Sequence, residues 1–172
     1  METWDAIRAR RNVRQYTDQS IPRDDLERIL EAGRRAPSAN NWQPWNFVVV
    51  TDPEQLIELA KAWPQGGRHI ARSAATIVLV AGRPEDDRQR DLLQYDVGQA
   101  TANMMVTAAD LGIGSGHSAV ADQEQAQRVV GFPEGHFAVY MIGLGYPGDR
   151  PLRPIVRPNR RPFDEVVHWD RW

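Results

Sequence analysis

The chain has 172 residues, 41% of them hydrophobic and 26% charged, with a formal net charge of −2. These values fit one globular domain of ordinary core size and give no electrostatic reason to bind nucleic acid or a membrane surface. The absence of cysteine excludes disulfides, thiolate nucleophiles and cysteine-ligated metal or iron–sulfur centres.

Lys61 is the only lysine, so nearly every cation is an arginine that can hold phosphate as a bidentate fork. No N-terminal apolar run resembles a signal peptide, and no 18-residue apolar stretch occurs. A cytoplasmic protein is the expectation.

Thr3 is placed to cap a first short helix whose inner face carries Trp4, Ala6 and Ile7. The basic run Arg8–Tyr16 follows. Pro22 and the acids after it open a second helix, with Leu26, Ile29, Leu30 and Gly33 inward. On its outer face Asp24–Arg28 and Glu31–Arg35 are spaced for ion pairs. Pro37 cannot continue that helix and lies at the start of the stretch Ala36–Phe47, which holds a hydroxyl and several primary amides between two stiffening prolines. Such groups match both donors and acceptors on the rim of a flat heteroaromatic ring, although a polar turn has the same composition.

Phe47–Val50 reads as a strand, and Asp52-Pro53 as the cap and first residue of a helix reaching about Ala62. Trp63–His69 reads as a loop. The near-continuous apolar run Ala75–Ala81 is a central strand. A long helix is expected from about Arg90 to Leu111, with Leu93, Val97, Ala100, Met104, Ala108 and Leu111 as its stripe. Gly98 and Ala102 within it permit close approach of another helix. Gly112 ends it, and Gly112–Val120 reads as a glycine-rich loop. Asp122 and Gln125 cap a helix that stops before Gly131, and Phe137–Leu144 is a further strand.

Gly143–Gly148 matches the dinucleotide-binding pattern G-x-G-x-x-G literally, but Pro147, Pro151, Pro154 and Pro158 forbid the helix that must follow. The pattern is a strand ending in a turn. From Arg150 to Arg161 the chain carries five arginines and three prolines and reads as extended. Apolar character returns towards Trp169 and Trp172. The four histidines show no metal-binding spacing.

The run A-P-S-A-N-N-x-Q-P-W-x-F-x-V-V resembles the central motif of the nitroreductase-like flavoproteins. Before it, Arg10-Arg11-Asn12-Val13-Arg14 is similar to that family's N-terminal flavin-contacting segment. Arg11 stands where some members carry His, and Asn12 where many carry Ser. After it come a helix containing Asp96-x-Gly98-x-Ala100, a G-x-G-Y-P strand end and a closing R-R-P-x-x-E-V-V.

The resemblance implies a single α+β domain over residues 1–172 with a C-terminal arm from about 150 to 172. Its fold is nitroreductase-like: a central mixed or antiparallel sheet flanked by helices, in an intertwined homodimer. It also implies FMN as cofactor, NADH or NADPH as reductant, and a small-molecule acceptor such as a nitroaromatic or a quinone. The implied flavin contacts are Arg10, Arg11, Asn12, Arg14, Pro37, Ser38, Ala39, Asn41, Gln43, Ser118, Ala119, Arg160 and Arg161. Ser118-Ala119 would present a backbone amide to the reactive flavin nitrogen, and Arg160 would approach the phosphate. No side chain is expected to be an indispensable acid or base. Alternatives are a flavin-binding or sensor protein without efficient turnover, and a specialised reductive dehalogenase or flavin-consuming member. A nucleic-acid module built on the arginine tail is the weakest alternative.

Overall fold

A computed structural model describes residues 1–172. In chain order the elements are α1 (Thr3–Ala9), α2 (Arg23–Arg34), β1 (Asn46–Val50), α3 (Pro53–Ala60), β2 (Ala75–Gly82), α4 (Asp87–Asp110), β3 (Gly114–Ser118), α5 (Gln123–Val130) and β4 (His136–Gly145). Short 3-10 turns occur at Ala39–Asn41, Gly67–Arg72 and Phe163–Glu165.

The sheet has the order β1-β2-β4-β3 and every neighbouring pair is antiparallel, which resolves the mixed-or-antiparallel expectation. β2 is buried on both faces because helices cover both. Ile77 and Leu79 face α2 and α4, where they pack with Leu26, Ile29, Leu93 and Met104. Val78 and Val80 face α3 and α5, packing with Leu56, Leu59 and Ala126. The alternation follows from the two-residue period of a strand, and it makes β2 the middle of a three-layer α+β fold. The register slips at Leu79/Val80, where β4 carries the extra Val139. Gln123 holds the bulge from outside. Its Nε2 donates to the Ala138 carbonyl at 2.8 Å and its Oε1 accepts from the Ala138 N–H at 2.9 Å.

Three helices start on the same device. Asp52, Asp86 and Asp122 each accept the backbone N–H of the Gln three residues on, at 2.9, 2.7 and 2.8 Å. The Asp86 cap starts α4 three residues before the expected Arg90, because the polar residues that carry no apolar stripe are already helical behind it. Thr3 does not cap α1; Glu2 occupies that position without a side-chain bond. Trp4 and Ile7 are exposed, and Ala6 and Ala9 form the buried face of α1 instead. Arg28 pairs with Asp110 rather than Asp24, while Glu31 pairs with Arg35 as its spacing suggests.

The glycine-rich segment expected as a loop is strand β3. The physical reason lies in the chain beside it. Residues 12–17 run flat along β3 and the end of β4, with Val13 N–H donating to Ser115 O at 2.9 Å and Thr17 N–H to Tyr146 O at 2.9 Å. A Cβ on Gly114 would fall 2.7 Å from Val13, and one on Gly116 would fall 2.4 Å from the Val13 carbonyl oxygen. Glycine at alternate positions therefore clears one strand face for the N-terminal segment. The segment read as loop at 63–69 tightens into the Gly67–Arg72 turn.

Candidate functional site

The residues assigned to a flavin by resemblance fall in four places. The first is the segment after α1. Arg10 has an extended backbone, φ −61° and ψ 123°. Its side chain lines a groove of about 400 Å³ together with Val97, Gly98 and Thr101 of α4, His117 of β3 and Tyr140 of β4. Arg11 lies outside that groove. Its guanidinium donates to Asp149 Oδ1 and to the Arg150 carbonyl, both at 2.7 Å. Asn12 bridges to Ser115 of β3. Arg14 is exposed and lies near Tyr16 and His69.

Beneath this segment lie the half-buried Tyr16 and the buried His69. The Tyr16 hydroxyl reaches the carbonyls of Val13 at 2.8 Å and Gly143 at 3.0 Å, and burial raises the phenol's pKa, with Arg14 opposing weakly. The two ring nitrogens of His69 lie against Gly66 O (Nδ1, 3.0 Å) and Gly116 O (Nε2, 3.2 Å), between the Gly67–Arg72 turn and β3, and a neutral ring donates to one of these carbonyls. Burial is the main cause that lowers its pKa, outweighing the two carbonyls, so the neutral imidazole is favoured.

The second place is the loop from Pro37 to Gln43. Ser38 Oγ accepts the Gln43 N–H at 2.9 Å. Asn40, Asn41 and Gln43 all have positive φ, at 50°, 58° and 50°. Asparagine tolerates this left-handed region better than most residues, but three such residues in a four-residue span need outside support. Asp96 supplies it. This carboxylate of α4 is 1% exposed. Its two oxygens accept the Ala39 N–H at 3.0 and 3.2 Å. Gln99, one turn on, donates to Pro37 O at 3.4 Å, and the buried Trp45 packs with Ala36 and Ala100. Sequence reading placed Asp96 only within the helix motif. The available signal was a carboxylate beside Val97, on the apolar side of a helix, facing a loop of amides.

The two halves of the expected site therefore lie on different sides of α4. Asp96 and Gln99 face the Pro37–Gln43 loop, whereas Gly98, Thr101 and Ala102 open into the Arg10 groove. Gly98 and Ala102 are exposed, and a Cβ on Gly98 would meet nothing within 4 Å. Glycine within a helix costs about 1 kcal/mol relative to alanine. Nothing inside the chain uses the space that this glycine leaves.

The third place is the end of β3. Ser118 is fully buried and paired with Met141, and Ala119 follows at the strand end. The fourth is the arm. Ile155 N–H donates to Arg8 O at 3.1 Å, and beyond it every hydrogen bond of the chain is internal to the arm. Arg160 and Arg161 are exposed, and Arg161 pairs with Glu165. No bond joins either to Arg10 within one chain.

No group of His, Asp and Glu residues is arranged to hold a metal ion. No helix is long and apolar enough to cross a membrane.

Comparison with known proteins places this architecture. The model of the nitroreductase family matches residues 7–72 and 61–146. A protein of Archaeoglobus fulgidus, named provisionally as an NADH dehydrogenase/NAD(P)H nitroreductase, is 33% identical over 170 residues, covering 96% of each chain. An NADPH-flavin oxidoreductase of Vibrio harveyi is 27% identical, covering 99% of this chain and 74% of its own. Among solved structures, an FMN-dependent nitroreductase of Clostridium difficile superposes with a TM-score of 0.83 at 23% identity, covering 97% of this chain and 98% of that one. The fold agrees over almost the full length, and the family model spans the N-terminal segment, the amide loop, the long helix and β4. By these matches the chain belongs to the nitroreductase family.

Proposed function

We propose that this chain is an FMN-dependent NAD(P)H oxidoreductase that works as a homodimer and reduces nitroaromatic, quinone or similar acceptors by a ping-pong cycle in one pocket. The chemistry supplied by bound FMN is two-electron transfer, with hydride taken from reduced nicotinamide and electrons delivered to the acceptor. The names of the Archaeoglobus, Vibrio and Clostridium relatives support this reading.

The observation that carries it is the division of the site by α4. Arg10, Asn12 and the end of β3 lie on one side, and the Pro37–Gln43 loop, held by Asp96, lies on the other. A second chain packed against the exposed Gly98–Ala102 face would bring its own amide loop to the first chain's groove. The arm supports the same arrangement. Val156, Phe163, Val166, Trp169 and Trp172 are 51–99% exposed, which is more apolar surface than a free arm keeps in water.

The residues fit a flavin. The groove is within the range of about 300–1,000 Å³ usual for cofactor and ligand sites. Its α4 wall is mostly apolar, broken by Gln94 and Thr101, and is low because of Gly98 and Ala102, as a flat ring needs, and Arg10 offers a fork to phosphate. Arg160 of the arm is assigned to the same phosphate. Asn41, Gln43 and the Ser38-Ala39 backbone provide donors and acceptors for the ring edge. Backbone N–H groups near Ser118-Ala119 and the Arg14 cation stabilise negative charge gained on reduction.

The test is direct. Purified protein should be yellow and should lose FMN affinity by about tenfold in Arg10→Ala and in Arg160→Ala, since charge-assisted bonds contribute roughly 1.5–3 kcal/mol each. Arg161→Ala is the companion variant if Arg160→Ala alone is silent. Colourless protein that binds no FMN in titration overturns the reading. So does a holoprotein that oxidises neither nicotinamide.

A further inference from the structure

A second cavity, of about 480 Å³, lies behind the N-terminal segment. The loop from Asp149 to Val156 closes it. One end is tied by Gly148 N–H to Gln15 O at 2.9 Å and the other by Ile155 N–H to Arg8 O at 3.1 Å. Arg11 pins the near side through Asp149 and the Arg150 carbonyl. The wall is formed by Arg11, Arg150, Pro151, Arg153, Pro154 and Ile155, with no carboxylate among its lining side chains.

The charges around this cavity do not cancel. Asp149 is occupied by Arg11, whose hydrogen bond holds the Asp149 carboxyl below the usual carboxylate range. Arg150 and Arg153 have no acidic partner. Two free guanidiniums therefore share the cavity with a third that is already oriented. The prolines at 151 and 154 limit the backbone freedom that a bound anion would otherwise have to freeze. Guanidinium forks match the oxygens of a phosphate monoester, which carries about two negative charges at neutral pH.

Location narrows the source of that phosphate. Arg10 and Arg11 are adjacent, yet one lines the α4 groove and the other this cavity. The cavity thus begins one residue away from the flavin groove without being part of it. That position suits the far end of a second substrate that shares the site. We propose that Arg11, Arg150 and Arg153 form a site for a phosphomonoester dianion, and that in the working enzyme this is the 2′-phosphate of NADPH. The assignment rests on the reading of the chain as an NAD(P)H oxidoreductase. Its consequence is a preference for NADPH over NADH, the two differing only in that group.

The experiment compares the FMN-loaded wild type with the double variant Arg150→Ala/Arg153→Ala. Flavin reduction by each nicotinamide is followed anaerobically, and 2′,5′-ADP and inorganic phosphate are titrated by calorimetry. The expected result is a loss of about tenfold or more in kcat/KM for NADPH. Reduction by NADH and FMN content stay unchanged, and 2′,5′-ADP binds the wild type only. Equal losses with both nicotinamides, or no loss with either, overturn the proposal. Loss of FMN from the variant moves the dianion site to the flavin's own phosphate and overturns the NADPH assignment. A wild type that neither nicotinamide reduces refutes the oxidoreductase reading, and the 2′,5′-ADP titration still decides whether the cavity holds the dianion.

Discussion

β2 and the arm beyond Ile155 both carry large apolar residues, and they use them in opposite ways. Every residue from Ala75 to Ala81 is buried against helices of the same chain. In the arm, Phe163, Trp169 and Trp172 stand 70%, 79% and 99% exposed, and no hydrogen bond returns to the body. The body completes its own core. The arm has apolar surface without a partner in its chain, so its stability and the body's are separable quantities.

The largest expected effect is on the body. In Gly116→Ala the new Cβ would lie 2.4 Å from a backbone oxygen, which cannot rotate away. The N-terminal segment must lift from β3, and we expect a loss of about 3 kcal/mol or more in urea unfolding. A variant within 1 kcal/mol of wild type contradicts the packing described for residues 12–17.

Truncation before Pro162 tests the other side of the comparison. It should leave a body that unfolds cooperatively but elutes as a monomer and retains no flavin. A truncated protein that light scattering shows to be a flavin-loaded dimer refutes the role given to the arm.

Between these extremes stands the amide loop, which belongs to the body and, in the proposed homodimer, serves the interface. Asp96→Ala removes the acceptor for Ala39 N–H, whereas Asp96→Asn keeps an acceptor oxygen. FMN affinity should fall about tenfold in the first, as for loss of a hydrogen bond to a charged group, and largely recover in the second. Equal defects in both would mean that charge, not the loop anchor, is what Asp96 contributes.

The smallest effects concern His117, Ser118 and His69. His117→Ala, Ser118→Ala and His69→Ala should keep anaerobic flavin reduction within about tenfold, because loss of a true general acid costs about 10²–10⁴-fold. His69 carries a further signature in stability. Its folded pKa is lowered, so below the unfolded value of about 6.5 the unfolded chain binds the extra proton first. Stability should therefore fall as pH drops from about 6.5 towards 5, and His69→Gln should flatten that limb. An unchanged slope in the urea midpoint would remove His69 as its source.

Much of the body was legible from local chemistry. The Asp52 and Asp122 caps, Pro53, Gly112 and Gly131 mark helix ends through bonds made within a few residues, whereas the Asp86 cap was hidden in a run of charged residues. The apolar run of β2 announces a strand covered on both faces. The misread pieces depend on distant partners. β3 looked like a loop because its glycines answer to Val13, about a hundred positions away, and no period inside Gly112–Val120 reveals that. Trp4 and Ile7 looked like core because helical spacing says nothing about what covers a face. Of the site, the amide loop was visible as composition, and its residues do form one unit on α4. Asp96 as its anchor, and the divergence of Arg10 from Arg11, required the fold.

The position of β2 also has a consequence for synthesis. β1 precedes it and can pair as soon as both have left the ribosome. Its other edge waits for β4, which begins at His136, with α4, β3 and α5 still to be made. That interval of roughly fifty residues takes about 3–10 s at 5–20 residues per second. Throughout it, Ala75–Ala81 presents an open edge of high β-propensity with no charge and no proline, the kind of segment that pairs with the wrong strand. A nascent chain stalled within α4 should therefore be the most aggregation-prone form of this protein and the one most dependent on a holding chaperone.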